Sequence, residues 1–326
     1  MPGAPVFWKR NGNRLPRHLL RPLGAVTAAL TAQRVAQAGW RAPVPVVCCG
    51  NVTVGGAGKT TLALDLLERL NRRGAHAHAL LRGYKGSARG AHRVTASDEA
   101  RRVGDEALLL ARLAPTWIGA DRAASARAAI AAGAEILVLD DGLQNPTLCK
   151  DMSLLVIDGG FGFGNGHLLP AGPLREPVAV AAGRCRAAVL IGADEHGAIS
   201  ALPPTMQALQ ACLAPGPEAA ELAGRRVLAF AGIARPEKFF ASLERVGAVI
   251  VARRAFADHH LFTEADIRRI DDDAARLEAL PVTTAKDAAR LAPADRRRVR
   301  VLTVSLAWED EPEIEALLTE LLEKRG

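Results

Sequence analysis

The eight residues "TVGGAGKT" (53–60) have the composition of a phosphate cradle. Gly55, Gly56 and Gly58 let successive backbone N–H groups turn toward phosphate oxygens. A helix starting near Lys59 adds the positive end of its dipole. In such a loop the lysine reaches the β- and γ-phosphates of ATP, and the hydroxyl that follows, here Thr60, binds Mg²⁺. Thr53, Val54 and Ala57 complete the loop, with Thr53 where the strict pattern has glycine. A glycine-rich turn with a chance lysine is the bland alternative, but a buried strand precedes the loop and a helix follows it. Val54 also argues against membrane-positioning ATPases, which carry an extra lysine there.

Further on, "ILVLDDG" puts Asp140 and Asp141 at the C-terminal end of an apolar run, where open α/β sheets bind ligands. One acid suffices to hold Mg²⁺, directly or through water. The second is surplus to a minimal nucleotide switch and points to more metal chemistry or to contact with an acceptor. Alone, D-D-G would be ordinary turn chemistry; downstream of a phosphate loop the site reading is favoured.

These residues need a scaffold, and the pattern supplies one. Apolar runs at 43–50, 76–81, 135–141, 153–158 and 187–192 alternate with helical stretches at 61–74 and 104–114. Continuous apolar strands between helices predict an α/β fold, a parallel sheet of the P-loop NTPase type with helices on both faces. A Pro/Gly-rich break extends from Leu202 to Gly224. The rhythm then restarts with strands at 226–233, 248–256, 281–287 and 298–306, and helices at 236–247, 263–280 and 312–324. The expected division is a basic N-terminal segment (1–42), a nucleotide-binding domain (43–213), a hinge (214–225) and a smaller α/β lobe (226–326).

The net charge of +7 is an N-terminal feature: eight Lys and Arg, and no Asp or Glu, precede Asp65. No nucleic-acid module accompanies them, so nucleic acid is not an expected partner. Leu19, Leu20, Leu23, Val26, Leu30 and Val35 fall at roughly helical spacing between arginines. The uncharged run Pro22–Gln33 is shorter than the roughly 20 residues a bilayer span needs. A signal peptide is a rival, but the phosphate loop close behind needs cytosolic ATP. An amphipathic helix on an anionic membrane surface and a helix packed on the following domain both fit. Cys48, Cys49, Cys149, Cys185 and Cys212 form no C-x-x-C pair and read as small apolar residues of a reducing compartment.

The series "PVPVVCCGNVTVGGAGKT", "LLRGYKG", "VGDEALLLA", "LDDGLQ", "DGGFGFGNGHLLPAGPLREP", "GIARPEKFF", "FADHHLF" and "TTAKDAARL" resembles, in that order, the tetraacyldisaccharide 4′-kinases of the lipid A pathway. The resemblance extends from about residue 20 to about residue 291, and "FGNGHLLPAGPLREP" with "DDGLQ" is its most specific part. It implies transfer of the ATP γ-phosphate to the 4′-hydroxyl of a tetra-acylated glucosamine disaccharide 1-phosphate. It also implies a peripheral protein on the cytoplasmic face of the inner membrane, with an N-terminal helix that meets the lipid. Asp105 of "GDE" would be the base and His259 of "DHH" its partner, with Lys59 and Asp141 completing the catalytic set. Thr60, Glu106, Asp140 and Gln144 are the implied metal residues. Tyr84, Arg122, Asn145, Arg175 and Glu176 are the implied substrate residues. No obligate protein partner is implied. Without the resemblance, Asp105 would read as a helix N-terminal acid, His259 as a loop histidine and Arg175–Glu176 as an ion pair. Three positions depart from the pattern: Asn145 replaces a usual histidine, Thr61 a common proline and Ala285 a common glutamate. Another P-loop small-molecule kinase or ligase, or a membrane-bound ATPase switch, are the alternatives.

Overall fold

The computed structural model describes residues 5–12, 14–84 and 86–323, apart from the side chains of Arg14 and Arg17. Eight strands come first: β1 (Val46–Gly50), β2 (Ala77–Leu81), β3 (His92–Arg93), β4 (Thr116–Ile118), β5 (Ile136–Asp140), β6 (Met152–Asp158), β7 (Ala187–Ile191) and β8 (Gln207–Pro215). Four more form a second sheet: β9 (Arg226–Ala231), β10 (Val249–Ala255), β11 (Leu280–Thr284) and β12 (Arg300–Leu302). The last, β13 (Val304–Trp308), returns to the first sheet.

The large sheet runs β13-β8-β7-β6-β1-β5-β2-β4-β3. Its pairings are parallel except at the two edges, β13 with β8 and β3 with β4. β1, β2, β5, β6 and β7 are buried along their whole lengths, as their unbroken apolar runs require when both faces are covered. On one face, helix Lys59–Arg72 buries Leu62, Leu66 and Leu70 beside Ile314, Leu317 and Leu321 of helix Glu311–Glu323. Each such leucine contributes about 2 kcal/mol by leaving water. On the other face, Ala126 and Ala129 of helix Arg122–Ala131 let the helix approach the sheet closely. The small sheet, order β10-β9-β11-β12, is all parallel and likewise has a core on each face. The α/β class with helices on both faces of a mostly parallel sheet is thus observed.

Several expected boundaries need correction. The break at 202–224 contains the nine-residue strand β8, which ends inside the expected hinge and is followed by the 3₁₀ turn Pro217–Leu222. The single strand expected at 298–306 is two strands in different sheets, separated at Thr303. Thr303 Oγ1 donates to the Glu218 carboxylate at 2.6 Å, and its carbonyl accepts from Gly216 N at 3.0 Å, so the crossing is pinned to the 3₁₀ turn. The second lobe is therefore 226–302, and Val304–Glu323 belong with the large sheet. Arg69 holds them there, pairing with Asp65 and Glu311 at 2.9 Å each. Lys286 and Asp287, expected on a strand, lie on helix Ala285–Arg290. Lys324, expected to close the last helix, falls outside the described residues.

Helix Arg14–Val35 forms the helix expected of the N-terminal segment, and it packs on the following domain. One side packs on the large lobe: Gly24 is buried against Leu168, and the Thr27 and Thr31 hydroxyls donate to the Leu169 and Arg175 carbonyls at 2.6 and 3.2 Å. The other side presents Leu15, Leu19, Leu23, Val26 and Leu30, each more than half exposed. No helix among the described residues is long and apolar enough to cross a membrane.

Candidate active site

The phosphate loop leaves β1 and enters helix Lys59–Arg72 at the C-terminal edge of the large sheet. Gly55 and Gly58 have φ of 120° and 93°, which favours glycine at both. Side chains added at Gly55 or Gly56 would meet open space, so the cradle faces outward. At Gly58 a Cβ would fall 2.5 Å from Ile191 Cδ1, which fixes the loop against the end of β7. Thr53 is explained by its partners: it bridges to Leu174, while Val54 N donates to the Pro173 carbonyl and Arg175 N to the Val52 carbonyl. The loop is thus stitched to "PLREP" by backbone bonds.

Lys59 is held by Asn51, whose Oδ1 accepts from Nζ at 3.0 Å, and lies 3.7 Å from Asp141 Oδ2. Asn51 is fully buried, and its amide donates to Thr53. Its only mark in the sequence is its place, an amide directly after a strand and before a phosphate loop. Asp141 has φ of 60° and pairs with Arg175 at 3.1 Å. Burial opposes its charge, but Lys59 and Arg175 outweigh that and hold its pKa below the usual carboxylate range.

Asp140, at the end of β5, is 2% exposed, and among the described residues neither carboxylate oxygen has a well-formed hydrogen bond, although the Thr60 hydroxyl lies close by. Burial, then the nearby Glu106 charge, pushes its pKa up to about 7, against the pull of Lys59 and Thr60. A buried carboxylate left this way is costly unless a cation completes it. Thr60 and Glu106 stand beside it, and no group of three or more His, Cys, Asp or Glu among the described residues is built to hold a metal alone. That donor set, oxygen-only and incomplete, suits Mg²⁺ shared with phosphates rather than a protein-enclosed ion.

Asp105 and His259 meet across the lobes, with His259 Nδ1 3.2 Å from Asp105 Oδ2. Asp105, at the start of helix Asp105–Leu110, is 5% exposed. Burial works against its ionisation, yet the His259 hydrogen bond and the charges of Arg290 and Lys286 hold its pKa well below the usual range. His259 has φ of 60°, and its backbone N donates to the Gly232 carbonyl at 2.9 Å. Tyr84 stands at the mouth, its ring centroid 6.0 Å from that of His259. Glu106 is bound by Lys286 at 2.8 Å, which keeps its pKa low despite burial. A further pair of contacts joins the lobes where Lys238 and Arg235 reach Asp158 at 2.9 and 3.0 Å. None of these second-lobe cations was singled out from the sequence.

Other expected site residues are placed differently. Arg122 is 2% exposed, lying under the Asp141 turn with its guanidinium against the Gly119 and Asp141 carbonyls. It shapes the turn and presents no open face to a substrate. Glu176 is also 2% exposed and pairs with Arg184 at 2.8 Å, not with Arg175. Gln144 donates to Glu176 and to the Asn51 carbonyl, and its Oε1 faces Arg175, an orientation for cross-bracing rather than for a metal. Asn145 closes a turn by accepting from Thr147 N and Oγ1, a task that needs no titrating group. Arg175 remains 30% exposed at the rim beside Asp141.

Comparison with known proteins bears on this arrangement. The family model described as "Tetraacyldisaccharide-1-P 4'-kinase" matches residues 16–323. A protein named tetraacyldisaccharide 4′-kinase from Gluconacetobacter diazotrophicus is 56% identical over 322 residues, covering 98% of each chain. One of the same name from Rhodospirillum centenum is 53% identical, covering 98% of this chain and 96% of its own. The crystal structure of an "apo" form of LpxK from Aquifex aeolicus in complex with ATP superposes with a TM-score of 0.74 at 24% identity, covering 94% of this chain and 99% of that one. That last likeness shows the fold.

Proposed function

The chain belongs to the tetraacyldisaccharide-1-phosphate 4′-kinase family, and from that premise we propose how its own residues carry out the transfer. It moves the γ-phosphoryl group of ATP to the 4′-hydroxyl of a tetra-acylated glucosamine disaccharide 1-phosphate, a step of lipid A synthesis. The observation that carries this reading is the convergence of a phosphate loop, two strand-end acids and the Asp105–His259 pair at one edge of the sheet.

The loop amides of residues 55–60 and the Lys59 ammonium bind the β- and γ-phosphates. Thr60 and Asp140, with Glu106 close by, would hold Mg²⁺, which when bound neutralises charge on those phosphates. Asp141 holds Lys59 and Arg175 on either side of itself and so aligns two cations along the phosphate path. Asp105 Oδ2 is fully engaged by His259 and Arg290, whereas among the described residues Oδ1 accepts only from Glu106 N at 3.0 Å. Oδ1 therefore has a lone pair for the proton of the acceptor hydroxyl. A carboxylate held this firmly in its charged form is a weak base. That suffices, because the transition state of phosphoryl transfer is loose and rewards orientation of the hydroxyl more than early proton removal. His259 fixes the carboxylate, and contact between the lobes excludes water.

The exposed stripe Leu15, Leu19, Leu23, Val26 and Leu30, beside basic N-terminal residues, supports peripheral attachment at the cytoplasmic face of the inner membrane, where the acyl chains of the acceptor lie. The test is whether ADP release requires the glycolipid. A kinase releases ADP only when acylated disaccharide 1-phosphate is present in the detergent. Equal ADP release with and without it would replace this reading by an ATPase switch.

A further inference from the structure

Arg290 ends the helix Ala285–Arg290, and its side chain is 1% exposed between carboxylates from the two lobes. Its Nε donates to Asp105 Oδ2 at 2.9 Å, and its Nη2 contacts the same oxygen. Its Nη1 donates to Asp287 Oδ1 at 2.9 Å and to the Gly232 carbonyl at 2.7 Å. That same carbonyl accepts from His259 N at 2.9 Å, and Gly232 N donates to Asp287 Oδ1 at 2.9 Å. Asp287 is fully buried and its Oδ2 accepts from Thr284 Oγ1 at 2.7 Å, so it has no freedom to move. A Cβ on Gly232 would lie 3.1 Å from His260 Cβ and 3.2 Å from Asp287 Oδ1, so this backbone unit tolerates little displacement.

The Gly232 carbonyl thus anchors both second-lobe groups that touch Asp105 among the described residues. A guanidinium is planar with donors in a fixed fork, so bonds to Gly232 and Asp287 on one side dictate where the other side meets the carboxylate. Without Arg290, the contacts left on the carboxylate among the described residues are His259 Nδ1 at 3.2 Å on Oδ2 and the neighbouring Glu106 N at 3.0 Å on Oδ1. With Arg290 added, Oδ2 is immobilised, and among the described residues Oδ1 keeps only the Glu106 N contact.

We propose that Arg290 is a positioning residue for the transfer: it presents Oδ1 of Asp105 to the acceptor hydroxyl and shares the Gly232 anchor with His259, so the second lobe sets the carboxylate as a unit. The proposal rests on Asp105 being the group that receives the hydroxyl proton. A purely fold-holding ion pair is the competing account, and it makes different kinetic demands.

The experiment measures kcat, KM for ATP and thermal midpoint for Arg290→Gln, Arg290→Lys, Asp105→Ala and Arg290→Gln/Asp105→Ala in the full chain. Arg290→Gln should lower kcat by about 10²-fold, the scale of a misplaced reacting group, with KM for ATP changed by no more than about twofold. Arg290→Lys, which keeps a cation between Asp105 and Asp287 but loses the fork, should recover the thermal midpoint more than kcat. In the Asp105→Ala background, Arg290→Gln should cause no further loss, because its partner is gone. If Arg290→Gln does not fold, Arg290→Gln/Asp287→Asn removes one charge of each sign from the buried cluster and carries the same comparison. Near-normal kcat in whichever Gln variant folds, or an equal loss with and without Asp105, overturns the proposal. Full activity of Asp105→Ala would instead overturn the role of Asp105 itself, and the two failures are told apart by that single variant.

Discussion

Asp140→Asn should make the metal-free protein more stable while abolishing transfer. Asp140 is a 2% exposed carboxylate with no well-formed hydrogen bond to either oxygen among the described residues. Its pKa is raised to about 7 from an ordinary value of 3.8, by burial and then by Glu106. The unfolded chain gives up this proton near pH 4, but the folded chain keeps it until near pH 7. Between those values the folded state binds the extra proton, so its stability falls as pH rises and the full penalty is in force above pH 7. Three pKa units correspond to a ceiling of about 4 kcal/mol, and side-chain relaxation brings the expected gain for the asparagine to about 1–3 kcal/mol at pH 8. At pH 4 the gain should shrink to well under about 1 kcal/mol, since the folded state is then protonated at this site and the unfolded chain about half so. Urea denaturation of wild type and variant at both pH values, in EDTA, measures it. Added Mg²⁺ and ATP should stabilise the wild type more than the variant, because a ligand stabilises only the state that binds it. An Asp140→Asn protein that is equally or less stable at pH 8 would refute the reasoning that Asp140 is held in reserve for a cation.

Lys59→Ala should abolish transfer, since the described cations nearest the cradle are committed elsewhere, Arg175 to Asp141 and Lys286 to Glu106; near-normal kcat would remove the phosphate-loop assignment. Asp105→Ala and His259→Ala should each lower kcat with a smaller effect on KM for ATP. The double variant should be little worse than the worse single one, because the pair is one hydrogen-bonded unit; multiplicative losses would mean independent roles. Replacing Arg14, Arg17 and Arg21 with Gln should weaken binding to anionic vesicles by about 1 kcal/mol per charge at low salt, and unchanged binding would leave the helix a packed element only. Glu176→Gln should lower the thermal midpoint more than kcat, because Glu176 braces Arg184 and Gln144 beneath the site rather than facing the substrate; a loss confined to KM for the glycolipid would return it to direct contact.

Much of this was readable because it is local. The buried strands announce themselves by unbroken apolar runs, and the cradle by its glycines next to Lys59 and Thr60. β8 was missed because its exposed and buried residues alternate weakly between Pro/Gly-rich flanks, so turn signals masked it. The crossing at Thr303 was missed because "RVRVLTVSL" has strand propensity throughout, and only the pairing partners decide that it serves two sheets. The site shows the same division. Asp105 and His259 could be brought together by family resemblance, though 154 residues separate them. Arg290 reaches Asp105 across 185 residues, and nothing in the local spelling of "TTAKDAARL" distinguishes it from a solvated helix-end cation. The burial of Arg122 and Glu176 is equally a tertiary fact. Charged residues in functional motifs read as surface groups until the packing around them is known.

The most direct measurement incubates the protein with γ-labelled ATP, Mg²⁺ and tetra-acylated disaccharide 1-phosphate in detergent, then locates the new phosphate by phosphorus–proton correlation NMR. The account predicts one phosphate gained per acceptor, on the 4′-oxygen, with one ADP formed for each and no product from Lys59→Ala. Label recovered only as inorganic phosphate, or attached at any other oxygen, would contradict it.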